Sequence, residues 1–309
     1  MPTKSESEKP RVVEYLYDKY RRSELSDGVV TNDLIVEAIR ATGADLSTAN
    51  PANFLKDIVR GKNANSFWPE RLKTDGVSAR QRYGSKRVFQ FVEFVEGQVE
   101  PFPDLYPVEE ETPTHQVQSA SIPFAARRLG RAEETWLTQI AVNLRLVETQ
   151  LSIFSPARES VRDVTHLQMS LKTQPEIDAV FLASYGASSD LDSATDRYVL
   201  VTCEAKQIGQ RILVDQIREQ VAKAMEITTD IKEPKIDGVK PMAISVVERD
   251  FGGESEYAIY IVEFAAIERV QFANQWAPSE EGEQLYSMPL SAISKTVYRI
   301  KPPIAGLNG

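Results

Sequence analysis

PEIDAVF at 175–181 and VLVTCEAKQ at 199–207 decide how this chain is read. Each is an apolar, β-branched run of the kind that forms a buried strand. Yet the first carries Asp178, and the second carries Glu204 and Lys206. Side chains alternate between faces along a strand, so Glu204 and Lys206 share one face and Cys203 and Ala205 the other. If the two strands are neighbours, Asp178 converges on Glu204 and Lys206. Two carboxylates brought so close repel and raise one pKa unless a cation serves both. A divalent metal does this, and an ammonium beside it positions a water or stabilises charge on a phosphate. Mg²⁺ is commonly held by one or two carboxylates together with phosphate oxygens. The pattern points to phosphodiester hydrolysis.

Composition removes several alternatives. Of 309 residues, 42% are hydrophobic and 26% charged, an ordinary globular balance with room for two domains. No apolar run reaches the roughly 18–20 residues of a membrane span. The opening MPTKSESEKP lacks an apolar signal core, and Cys203 is the single cysteine, so the expected location is cytoplasmic. Two histidines, His115 and His166, are too few for His-rich zinc hydrolases and fit HNH-type nucleases poorly. Neither GxxxxGK[ST] nor GxGxxG occurs, which leaves nucleotide-driven and nicotinamide chemistry without support.

Residues 97–125 hold five prolines and the acidic run Glu109–Glu111, and read as a linker between a domain at 1–96 and one at 126–309. In the first domain, VVEYLYDKYRR and TNDLIVEAIRATG have helical apolar spacing, and STANPANFLKDIVRG is expected to be a third helix. RQRYGSKRVFQFVEFV then reads as a hairpin. Three helices and a hairpin in that order are those of a winged-helix-like α+β domain. Charge agrees with this. Lys56, Arg60, Lys62, Arg71, Lys73, Arg80, Arg82, Lys86 and Arg87 stand against Asp57, Glu70 and Asp75, a local +6 in a chain of net −9. That excess covers the third helix, the following loop and the wing, the parts that would meet double-stranded DNA.

The second domain begins with RLGRAEETWLTQIAVNLRLVETQL, whose periodicity predicts one helix of about five turns. Apolar runs follow at 164–171, 175–183 and 197–205, then a helix in RILVDQIREQVAKAMEITT, then runs at 240–249 and 257–265. The expected architecture is α/β, a mixed central sheet flanked by helices.

P-E-I-D at 175–178 followed by C-E-A-K at 203–206 resembles the PD-(D/E)xK nuclease superfamily, which includes type II restriction endonucleases, Mrr-like enzymes and archaeal junction resolvases. The similarity covers about 130–265. Pro175 and Asp178 are two residues apart rather than adjacent, which departs from the motif as written. The resemblance implies a restriction-endonuclease-like core, with Asp178 and Glu204 binding Mg²⁺ (Mn²⁺ substituting) and Lys206 serving catalysis. It also implies a Glu on the preceding helix, for which Glu134 or Glu133 fits better than Glu148, and a polar residue on the following helix, where Gln216 and Gln220 lie four apart on one face. The implied activity is a DNA endonuclease of the type II restriction class, a homodimer since two strands are cut, with a cognate DNA methyltransferase acting on the same site. A modification-dependent Mrr-like enzyme, a repair nuclease, and a non-catalytic DNA-binding regulator on a degenerate nuclease fold are the alternatives.

Overall fold

The computed structural model describes residues 8–59, 61, 64–82, 86–173, 175–186, 196–277 and 284–307. The chain forms two compact units, Met1–Leu105 and Tyr106–Gly309.

In the first unit, α1 (Lys9–Arg21) starts at a proline and buries Val12, Val13, Leu16 and Tyr17 on one side. After β1 (Val29–Thr31), helix α2 (Asn32–Thr42) is capped at both ends. The Thr31 hydroxyl accepts the Leu34 N–H at 3.4 Å, and Gly43 closes the helix at φ +64°, a conformation costly for other residues. The expected third helix is broken. A 3₁₀ turn at Pro51–Asn53 leads to three short helices, α3 (Lys56–Val59), α4 (Ala64–Phe67) and α5 (Glu70–Thr74). Asn50, at φ −137° and ψ 69°, lies outside the helical region, as a residue preceding a proline is pushed to do, so the helical path starts only after it. Strands β2 (Val77–Gln81) and β3 (Arg87–Glu93) pair antiparallel, and β1 adds to β3, giving the order β1-β3-β2. Phe89 and Phe91 from β3 meet edge to face at 5.2 Å, and Phe91 stacks on Tyr20 at 5.4 Å.

The second unit begins inside the stretch that reads as a linker. Residues up to Leu105 belong to the first unit, where the Phe102 ring packs on Trp68 at 5.1 Å and its N–H donates to Asn65 Oδ1 at 2.9 Å. From Tyr106 onward the chain joins the other unit. Tyr106 packs on Phe264 and donates to the Leu290 carbonyl at 2.9 Å, and Thr114–Gln118 forms β4. The composition misleads because an edge strand needs backbone partners on one side only, so prolines around it cost nothing.

Next come α6 (Phe124–Leu129), α7 (Glu134–Asn143), α8 (Leu146–Thr149) and a π-helical turn at Gln150–Phe154. The single long helix expected here is divided. Arg145 adopts φ +53°, and the kink lets Leu146, Val147 and Leu151 face the same core as Leu137, Ile140 and Ala141. Then follow β5 (Val161–Leu171), β6 (Ile177–Tyr185), β7 (Arg197–Lys206), α9 (Val214–Ile227), β8 (Ile236–Asp250), β9 (Ser255–Phe264), β10 (Ile267–Glu268), α10 (Arg269–Gln275) and β11 (Ala292–Lys301).

The result is a mixed α/β unit with a central sheet between helices. Its strand order is β4-β11-β9-β8-β7-β6-β5, with β10 on β8. The β7–β8 and β4–β11 pairs are parallel; the rest are antiparallel. Helices α7 and α8 cover one face, packing on Phe181, Val201, Cys203 and Ala205. Helix α9 covers the other with Val221, Ala224 and Met225 against Val180, Leu200 and Val239. Each such aliphatic side chain contributes roughly 1.5–3 kcal/mol on full burial. Phe272 of α10 and Trp276, just past its end, close this second core with Met288. Among the described residues no helix is long and apolar enough to cross a membrane.

Candidate active site

Strands β6 and β7 pair from Tyr185–Arg197 down to Ala179–Cys203, and there the ladder stops. Strand β7 continues for three more residues, Glu204, Ala205 and Lys206, paired only with Ala243, Ile244 and Ser245 of β8. At the divergence Asp178 replaces the next backbone rung: its Oδ2 accepts the Ala205 N–H at 2.7 Å. The side chain of Asp178 is thereby fixed beside the last turn of β7.

Glu204 and Lys206 lie under α9, on the face opposite Cys203 and Ala205, as strand alternation requires. They are 1% and 0% exposed. Lys206 Nζ donates to Glu204 Oε1, and Gln220 Nε2 donates to Glu204 Oε2. Gln220 also donates to the Glu176 carbonyl at 2.8 Å, linking α9 to the approach to β6. Gln216, one turn earlier on the same side of α9, offers its Oε1 to Lys206 Nζ at 3.5 Å. Charges this deeply buried are tolerable only when paired and hydrogen-bonded, and these are.

Asp178 carries the electrostatic signature of the cluster. Burial pushes its carboxyl up to about 7, and the nearby Glu204 charge adds to the rise. The Ala205 N–H and Lys206 oppose this, and Glu134 raises it further. Glu134 opens α7 and has a buried Oε1 without a hydrogen-bond partner. Its charge reaches Asp178. Glu133 is exposed at the cap. Glu148, beyond the kink, lies by Arg145 at 3.5 Å and by His166, with its carboxyl raised by burial.

Among the described residues no three His, Cys, Asp or Glu side chains form a ready-made metal cage. The donors at the strand divergence nevertheless suit a hard cation that keeps other ligands of its own. Asp178 is short of compensating positive charge, and Glu134 Oε1 is unpartnered. Glu204 Oε1 accepts from Lys206 and Oε2 from Gln220, and a carboxylate oxygen has a second lone pair to offer.

The basic residues of the first unit separate into distinct environments. Arg60 and Lys62 lie outside the described residues. Lys56 is half-buried on α3. Arg71 pairs with Asp18 at 2.7 Å and Lys73 with Glu70 at 2.6 Å. Arg82 corrects the sequence reading. It is 3% exposed and donates to Gln90 Oε1 at 3.0 Å, because the position after β2 turns into the unit. Lys86 is exposed, and Arg80 and Arg87 are half-buried on the two arms of the hairpin.

Two features escape the strand motif. Gln220 holds Glu204, and its only sequence signal is the four-residue spacing from Gln216. A cleft of about 750 Å³ lies at β11 and α6, away from Asp178, lined in part by Arg127 and Arg128. Its signal is the cluster RRLGR at 127–131 in an acidic chain. No known protein family matches the chain, and neither does any curated protein or solved structure.

Proposed function

We propose that the protein is a Mg²⁺-dependent DNA endonuclease of the restriction type. The observation that carries the reading is the convergence of Asp178, Glu204 and Lys206 at the divergence of β6 and β7, with the Asp178 carboxyl raised to about 7. Perturbed carboxylates clustered with a buried amine are a mark of functional sites. We further propose that the α/β unit has a restriction-endonuclease-like core and that the first unit is winged-helix-like, with Arg80, Lys86 and Arg87 on the hairpin of its β1-β3-β2 sheet.

Asp178 and Glu204 are the residues that would hold Mg²⁺, with Glu134 beside them. When bound, the ion would polarise the scissile phosphate and lower the pKa of an attacking water. Lys206 supplies positive charge where the phosphoryl oxygens gain negative charge, in a site dry enough for that charge to act strongly. Gln216 and Gln220 keep Lys206 and Glu204 oriented. Cutting both strands calls for two such sites, so the working form is a homodimer, and a cognate methyltransferase would protect the same sequence.

The deciding experiment is digestion of plasmid and phage DNA with Mg²⁺, with Mn²⁺, and with EDTA, followed by sequencing of the ends. Defined ends that vanish in EDTA and in Asp178→Asn support the reading. Intact DNA under all metal conditions, methylated and unmethylated alike, overturns it. One observation favours a second reading, a non-catalytic DNA-binding regulator: Lys206 and Glu204 already neutralise each other in full burial. DNA binding without cleavage by the wild-type protein would select it.

A further inference from the structure

The cleft of about 750 Å³ lies where β11 ends against α6. Its floor is the segment after β11, held by backbone and side-chain bonds. Ala305 N–H donates to the Arg127 carbonyl at 2.7 Å, Trp136 Nε1 donates to the Ala305 carbonyl at 2.9 Å, and Ser119 Oγ donates to the Pro302 carbonyl at 2.6 Å. Two glycines make this approach possible. A Cβ at Gly130 would lie 2.4 Å from the Ala305 oxygen, and one at Gly306 would lie 2.5 Å from the Arg131 oxygen. The cleft is a built feature with a rigid floor.

Its charge is cationic. Arg299 and Lys301 both bind one carboxylate, Glu256, which they hold down at about 2. One positive charge of that trio is left over. Arg127 sits over the exposed Phe124 ring, 6.0 Å from its centroid, with a buried Nε that has no hydrogen-bond partner. Arg128 is exposed. Among the residues that line the cleft itself, Arg127, Arg128 and Lys301 stand against Glu254 and Glu256, a surplus of one in a protein of net −9.

The position of the cleft relates it to the candidate active site. Strands β7, β8 and β11 run in one direction, so Lys206 and Lys301 stand toward the same end of the sheet. Three strand spacings separate β7 from β11, roughly 14 Å. By register Lys301 lies about four residues further along than Lys206, roughly 13 Å at strand rise. The two are therefore about 20 Å apart, the length of about six nucleotides of duplex at roughly 3.4 Å each.

We infer that this cleft binds the phosphate backbone of double-stranded DNA away from the bond cut at Asp178, Glu204 and Lys206, with Lys301 at its edge marking a distance of about six base pairs and Arg127 and Arg128 as the phosphate contacts. The inference rests on the nuclease reading. Arginine suits phosphate because its planar fork donates two hydrogen bonds at once.

The test uses the full-length protein and a 30-base-pair duplex in EDTA, with binding followed by fluorescence anisotropy over a range of salt. Arg128→Glu is expected to weaken binding about tenfold at low salt and to reduce the log–log salt slope by about 1. Glu254→Lys is expected to tighten binding. On a duplex trimmed to three base pairs either side of the cut, both effects should disappear. Melting temperatures of both variants should match the wild type, since both side chains are exposed. Unchanged binding by both variants, in a protein that does cut DNA with Mg²⁺, overturns the cleft assignment and leaves the nuclease reading standing. Equal effects on the binding of a free mononucleotide also overturn it, since a contact along duplex backbone cannot be made by one nucleotide. A wild-type protein that neither binds nor cuts duplex DNA overturns both.

Discussion

The carboxylate of Asp178 takes the Ala205 N–H at 2.7 Å, at the point where the β6–β7 ladder would otherwise place a backbone carbonyl. The bond holds two diverging strands together with a side chain. It also brings a buried carboxyl next to Glu204, and the physical consequence is a group that ionises near neutrality rather than near 4.

That shift sets a pH dependence. The folded-state value, about 7, lies above the ordinary 3.8, so the folded protein holds this proton more tightly than the unfolded chain. Asp178 therefore costs stability progressively as pH rises from about 4 to about 7, and the full cost remains above. Asp178→Asn should leave the melting temperature unchanged near pH 4 and raise it at pH 8. Millimolar Mg²⁺ at pH 8 should stabilise the wild type and not the variant. A melting temperature that is insensitive to the substitution at both pH values would contradict the assignment.

Lys206 cannot be probed by simple truncation. Lys206→Met leaves Glu204, 1% exposed, as an unpaired buried anion, a loss of about 3–5 kcal/mol. Glu204→Gln with Lys206→Met removes both charges and should recover most of that stability in denaturant titration. Both variants should bind DNA and fail to cut it. Cleavage by the folded double variant would remove these residues from the chemistry.

A second buried pair should behave differently. Lys240 Nζ donates to Glu263 Oε1 at 2.5 Å, Ser155 Oγ donates to the same oxygen at 2.7 Å, and Gln150 of the π-helical turn reaches Glu263 Oε2 at 3.4 Å. Tyr298 in turn donates to Gln150 Oε1 at 2.9 Å. Lys240→Met alone should cost about 3–5 kcal/mol, and much less when combined with Glu263→Met. Neither should alter cleavage per folded molecule, because the pair lies about five residues back along the strands from Ser245, the partner of Lys206.

The basic residues of the first unit should split by burial. Arg82→Ala removes a buried hydrogen bond to Gln90 and should lower the melting temperature while leaving the salt slope of DNA binding unchanged. Lys86→Ala with Arg87→Ala should leave the melting temperature nearly unchanged and reduce that slope by about 2. The reverse pattern would show that the hairpin is not the nucleic-acid contact.

Local pattern was enough to find β5 to β9, α9, and the three charged residues on β6 and β7. Alternation is a property of a strand itself, so Glu204 and Lys206 had to share a face wherever the strand went. Three things depended on packing between distant segments. The helix expected over 128–151 broke at Arg145 because Leu146 and Val147 had to reach the same core as Ile140. The proline-rich stretch at 97–125 was divided between the two units because β11 offered an edge to β4. Arg82 turned inward because Gln90, across the hairpin, could accept its hydrogen bond. The sequence by itself determined which residues were chemically able to act. The tertiary structure decided which of them meet, because Asp178, Glu204, Glu134 and Gln220 come from four elements and only the sheet and its two helical layers bring them to one place.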